Sequence, residues 1–195
     1  MDRVGWTPQA DKSVLLVHDM QLFYTNSLPE AGRARLLRTT AGLIASARSL
    51  SIPVVYSVAE PSLTPEHRGL LRDFHGMGMH DDPAHHTIHP DLTPRDGEVQ
   101  IVKRIYSAFY ATKLESVLGE LDRSELLICG IYADIGCLLT AFDAFKRGIK
   151  PFFIADAMMA YTEEQHLAAT EYVARLCASI WTAKTAIDAL TAGNG

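Results

Sequence analysis

The sequence predicts an α/β protein: a doubly wound, three-layer, Rossmann-like fold around a mainly parallel six-stranded sheet in the order 3-2-1-4-5-6. Continuous apolar runs of strand length alternate with segments of helical periodicity along the chain. The first and third of these runs end in a charged residue, as parallel strands covered on both faces do when a functional group sits at the tip. The run Leu126–Ile131 is interrupted at Gly130 and passes through Tyr132-Ala133-Asp134-Ile135-Gly136-Cys137 into a helix, a strand-to-helix junction of the kind that gathers anionic ligands. No Pro/Gly/Ser-rich linker divides the chain, so residues 1–195 read as a single domain.

Lys12–Met20 is the first strand, placing Asp19 at the carboxyl edge of the sheet. Pro29–Leu50 is a helix with Leu36, Leu43, Ile44 and Ala47 inward and Arg33, Arg35, Arg38 and Arg48 in water. Ile52–Val58 is the second strand. The long connection from Glu60 to Gly97 holds one helical candidate, Pro65–Phe74, and its length predicts that it covers a site. Val99–Lys103 is the third strand. Thr112 and Glu115 have capping-box spacing ahead of a helix that buries Leu114, Val117, Leu118 and Leu121. After the fourth strand, Leu138, Leu139, Phe142 and Phe145 are expected to face inward. Lys150–Asp156 is the fifth strand, Thr162 and Gln165 cap a helix to about Ala174, and Ser179–Thr182 is a short sixth strand before a last helix. Strand polarity alone brings Asp19, Lys103 and the Tyr132–Gly136 turn to one edge, with Gly136 allowing close approach of a ligand.

Lys and Arg number 18 against 23 Asp and Glu, a net charge of -5, and the cations are scattered. That disfavours nucleic acid and points to a small-molecule partner. No apolar stretch nears the roughly 20 residues that span a bilayer, and Met1–Trp6 carries no basic-then-apolar segment, so the expectation is a cytoplasmic protein without a membrane partner. The three cysteines, Cys129, Cys137 and Cys177, sit in apolar surroundings and read as reduced thiols. His80, His85, His86 and His89 with Asp81, Asp82 and Asp91 match no compact zinc spacing, and no metal is expected.

Val17-His18-Asp19-Met20-Gln21, Arg68-Gly69-Leu70-Leu71, Lys103 followed by Tyr106-Ser107-Ala108-Phe109, Gly130–Cys137, and Asp143-Ala144-Phe145 to Pro151-Phe152 together resemble the isochorismatase family from about Trp6 to Ala186. The likeness is nearest to its phenazine-pathway and enterobactin-pathway branches. The wider superfamily includes amidases that use an Asp, a Lys and a Cys, and its nucleophile position falls here on Gly136, with Cys137 about 100° further round a helix.

The resemblance therefore implies vinyl-ether hydrolysis without a nucleophilic side chain. Asp19 would be the general acid and Lys103 its partner, Arg68 would hold a carboxylate, Phe23, Tyr106 and Tyr132 would wall the ring, and the backbone of Gly136 would contact substrate. It implies no cofactor, and it implies a homodimer. The implied substrate is isochorismate or 2-amino-2-deoxyisochorismate, giving pyruvate and a dihydroaromatic acid. Asp19 must carry a proton to act, which burial or substrate anions favour and Lys103 opposes. Three positions depart from the family: Ala59 stands where an ungapped match expects glutamine, with Glu60 next; His75 replaces a tryptophan; and Asp134 replaces the histidine of a Tyr-Ala-His turn. An amidase using Cys137 and a non-catalytic partner protein are the competing readings.

Overall fold

The computed structural model describes residues 3–61, 64–79 and 82–193. Its six strands, β1 (Ser13–His18), β2 (Val54–Ala59), β3 (Val99–Lys103), β4 (Glu125–Ile131), β5 (Lys150–Met159) and β6 (Ser179–Trp181), form one sheet in the order β3-β2-β1-β4-β5-β6. Every pairing is parallel. The apolar runs give such strands because both faces are covered. Leu15, Val17, Tyr56, Leu127, Cys129 and Phe152 belong to one core, and Val14, Leu16, Val55, Leu126, Ile128 and Phe153 to the other.

The helices, in chain order, are α1 (Leu22–Asn26), α2 (Glu30–Ser49), α3 (Pro65–Arg68), α4 (Leu71–His75), α5 (Pro83–His86), α6 (Leu114–Glu120), α7 (Leu138–Lys146), α8 (Glu163–Leu176) and α9 (Ala183–Ala192). Residues of α2 and α9 close the first core, and residues of α6, α7 and α8 the second. No helix among the described residues is long and apolar enough to cross a membrane.

Register carries the geometry forward. His18 pairs with Ser57 on one side and Gly130 on the other, and Ala59 pairs with Lys103. The ends of the four strands β3, β2, β1 and β4 are thereby brought level at one edge.

Five expectations need correction, the first being Leu121, which is exposed because it lies past the last residue of α6. The candidate Pro65–Phe74 is two short helices, because Gly69 takes a left-handed φ of 57° and ends the first. Thr112 makes no capping box: its Oγ1 accepts from Leu114 N–H and donates to the Ala108 carbonyl, and α6 starts after Lys113. β5 runs on to Met159. Leu139 and Phe145 are exposed, whereas Thr140, Ala141 and Ala144 are buried. The cause is a π turn over Ala133–Cys137, closed by Cys137 N–H donating to Tyr132 C=O at 3.1 Å. Its wider turn rotates the face that an uninterrupted α-helix would present. The capping box of Thr162 and Gln165 does form at the start of α8.

Candidate active site

Asp19 follows β1 with a left-handed φ of 49°, a conformation that Asp and Asn tolerate better than most side chains. The residue is 5 % exposed, and its carboxyl is held by the neighbouring strand ends. Ser57, on β2, donates its hydroxyl to Oδ1 at 2.8 Å and accepts the Asp19 N–H on its carbonyl at 3.1 Å. Lys103, the last residue of β3 and itself buried, brings Nζ to 2.6 Å from Oδ2. Nδ1 of His18 lies 3.6 Å from the same oxygen.

Burial alone would push the Asp19 carboxyl up. The attraction of His18 and Lys103 and the hydrogen bonds from Lys103 and Ser57 outweigh it, and the carboxyl titrates below its ordinary range. Lys103 is the lasting part of that pull. Burial, helped by Lys103, pushes His18 down against Asp19 and the backbone of Ile131 and Tyr106. The resting centre is a carboxylate–ammonium pair screened from water.

Above the pair opens a pocket of about 150 Å³. Its floor is Asp19, Lys103 and Gly136. One wall is aromatic: Tyr132 stacks on Tyr161 with centroids 4.2 Å apart, Tyr24 meets Tyr132 edge-on at 5.8 Å, and Phe23 meets Tyr24 edge-on at 5.1 Å. Ser27 and the Tyr132 hydroxyl are 2.9 Å apart, fixing that ring. Burial pushes the phenols of Tyr24 and Tyr132 up, so both are neutral.

The opposite wall comes from the covering segment. Arg68 donates Nε to the Gly76 carbonyl at 3.0 Å and lies against Gly78, where a Cβ would stand 2.9 Å from its guanidinium carbon. His75 Nε2 and the Tyr106 hydroxyl are 3.1 Å apart. At the rim, Oε1 of Glu60 lies 2.7 Å from Nε of Arg104 and 3.2 Å from Nε2 of His67, as ion pairs without hydrogen-bond geometry. Gln21 ties the two halves together: its amide accepts from Ala59 N–H at 2.8 Å and donates to the carbonyls of Ala59 and His86, each at 3.0 Å.

The pocket sets Lys103 at its floor and Arg68 on the covering segment beside a wall of aromatic rings. The sequence pattern of the Isochorismatase domain family matches residues 13–185. The chain belongs to the isochorismatase family of hydrolases. It is 37% identical over 177 residues to the phenazine biosynthesis protein PhzD of Pseudomonas fluorescens, covering 91% of this chain and 86% of that protein. It is 36% identical to enterobactin synthase component B of Escherichia coli K12 over 175 residues, 89% of this chain and 61% of the longer protein. In fold it matches a cysteine hydrolase structure from Pseudomonas syringae with a TM-score of 0.88 at 21% identity, covering 99% of this chain and 98% of that one.

In this isochorismatase-family chain Asp19, Phe23, Arg68, Lys103, Tyr106, Tyr132 and Gly136, all expected at the site, line the one pocket. So do Ala59, Glu60 and His75, whereas Asp134, the third departure from the family pattern, does not. Ser57, Tyr24, Tyr161 and Arg104 were not foreseen. Only Ser57 had a legible signal, its place near the end of the second apolar run. Cys137 is fully buried, and burial, with Cys129 and Asp19, pushes its thiol well up. Among the described residues no group of three or more His, Cys, Asp or Glu side chains is arranged to hold a metal ion. His80 and Asp81, part of the histidine-rich run, lie outside the described residues.

Proposed function

We propose that this chain hydrolyses the enolpyruvyl vinyl ether of isochorismate or 2-amino-2-deoxyisochorismate by general acid catalysis, without a covalent enzyme intermediate. One observation carries the reading. A buried carboxyl paired with Lys103 faces a pocket whose floor is Gly136, and among the described residues no cysteine lines that pocket. The name of the matching family, isochorismatase, points to the same substrate class.

The chemistry balances with water alone. Asp19 delivers a proton to the terminal methylene of the enolpyruvyl group, and the ether oxygen supports the resulting oxocarbenium ion. Water adds to the carbon that bears the ether oxygen and gives its proton to the Asp19 carboxylate, and the hemiketal breaks its bond to the ring oxygen as its hydroxyl proton passes to that oxygen, releasing pyruvate and a dihydroaromatic alcohol. Asp19 is ionised in the free protein. A substrate carrying two carboxylates engages Arg68 and Lys103 and raises the proton affinity of Asp19 in the complex. Proton transfer from one positioned acid is worth roughly 10²–10⁴-fold, with preorganised cations supplying more.

Pyruvate release, followed with lactate dehydrogenase, from each ether separately and with a chelator present tests the reading. Formation from either supports it. No pyruvate from either, with folded protein, overturns it.

The thiols provide a second check. Cys129 and Cys137 are fully buried and Cys177 is 5 % exposed, with burial pushing the Cys177 thiol up to about 11. Native protein is expected to stay unalkylated by iodoacetamide in an intact-mass measurement, and Cys137→Ser is expected to keep kcat within about threefold of wild type. Inactivation that tracks alkylation of Cys137 would favour an amidase-type nucleophile instead.

A further inference from the structure

His18 is a fully buried residue that the mechanism above leaves without a task. Its Nδ1 and the Ile131 carbonyl are 2.8 Å apart, so Nδ1–H donates to the residue that precedes the Tyr132 turn. The same nitrogen stands 3.6 Å from Oδ2 of Asp19, and among the described residues Nε2 has no hydrogen-bond partner. The backbone of Tyr106 is near enough to favour a charged ring without giving Nε2 that bond.

The ring also lies over Gly136. A Cβ at position 136 would collide with Cε1 of His18 and stand 2.9 and 3.0 Å from its two nitrogens. A ring that is buried on all sides and bonded to Ile131 has nowhere to swing. One side chain on β1 thus touches the proton donor, the carbonyl before the aromatic wall, and the glycine of the floor.

We propose that His18 is a positioning residue, whose ring occupies the place of a side chain at position 136 and thereby holds Asp19 and the Gly136 backbone at their working separation. It follows that the floor is reserved for main chain. While His18 is present, no residue with a Cβ fits at 136, and neither a nucleophile nor a larger wall can be installed there by one substitution. The positioning half rests on Asp19 being the proton donor; the packing half does not.

Two measurements test these halves separately. For packing, urea unfolding of wild type, His18→Asn, Gly136→Ala and the double variant forms a cycle. Gly136→Ala alone is expected to lower the folding equilibrium constant by about 10²-fold, the scale of overpacking a tight core. In the His18→Asn background the same change is expected to lower it less than about tenfold. Equal effects in both backgrounds would overturn the proposal. Should Gly136→Ala not fold, a folded double variant supports the proposal and an unfolded one overturns it.

For positioning, His18→Asn retains an N–H for the Ile131 carbonyl, whereas His18→Leu does not. Expected kcat losses in pyruvate release are about tenfold for Asn and about 10²-fold for Leu, with KM within about threefold in both, since small misplacements of reacting groups cost rates of this order. Equal kcat losses in the two variants, or a change in KM alone, would overturn it. If wild type releases no pyruvate, the proposed function fails while the unfolding cycle still reports on His18 and Gly136.

Discussion

Asp19→Asn is expected to release pyruvate with kcat reduced by roughly 10³-fold, within the range that one positioned acid contributes. Asparagine is the informative replacement. It is the same size, tolerates the left-handed φ of 49° at this position, and keeps an oxygen for Ser57 or Lys103. It has no proton to give. Alanine would confuse the outcome, because it suits that backbone less well and leaves the buried ammonium of Lys103 with nothing opposite, a defect worth about 3–5 kcal/mol by itself. With asparagine, circular dichroism should show an intact fold, and stopped-point pyruvate assays should read the loss. Activity within tenfold of wild type would remove Asp19 from the mechanism.

Gly130→Ala is expected to have the largest effect on stability. Gly130 sits inside β4 with φ of 119°, where only glycine is at ease, and a Cβ there would collide with the backbone oxygen of His18 and stand 2.8 Å from its nitrogen. Neither strand can yield, since His18 and Gly130 are register partners at the centre of the sheet. Strain and overpacking together cost on the order of 3–6 kcal/mol, against about 5–15 kcal/mol for a whole domain. Urea titration should show a midpoint drop of that scale, or the variant should be recovered only as insoluble protein. Gly119→Ala is the control: it lies in α6 with nothing within 4 Å of its Cβ, and alanine there should leave the midpoint unchanged or raise it. Equal behaviour of the two variants would contradict this account of Gly130.

The sheet was legible because strands buried on both faces leave unbroken apolar runs, and their polarity alone put Asp19 and Lys103 at one edge. Arg68 was legible only through family resemblance, since a four-residue helix with no buried position carries no periodic signal. His18 and Ser57 were overlooked for a different reason. A histidine or serine near the end of a strand is ordinary until its partner across the sheet or in the next turn is known. The misjudged face of α7 has a local cause in the π turn, which a period of 3.6 residues cannot anticipate. Tyr24 and Tyr161 reach the pocket from segments that sequence reading treated as connections.

The covering helices α3 and α4 contain no buried residue, whereas the floor is built from buried residues at two strand ends and in the π turn. This divides the site by evolvability. Substitutions in α3 and α4 disturb little packing, so the half of the pocket that carries Arg68 and His75 can drift through sequence space with small loss of stability. The half that holds the Asp19–Lys103 pair is anchored at buried positions. Such a protein can change what it accepts long before it changes what it does, and two of its three departures from the family pattern, Ala59 and His75, line the pocket without belonging to the Asp19–Lys103 floor.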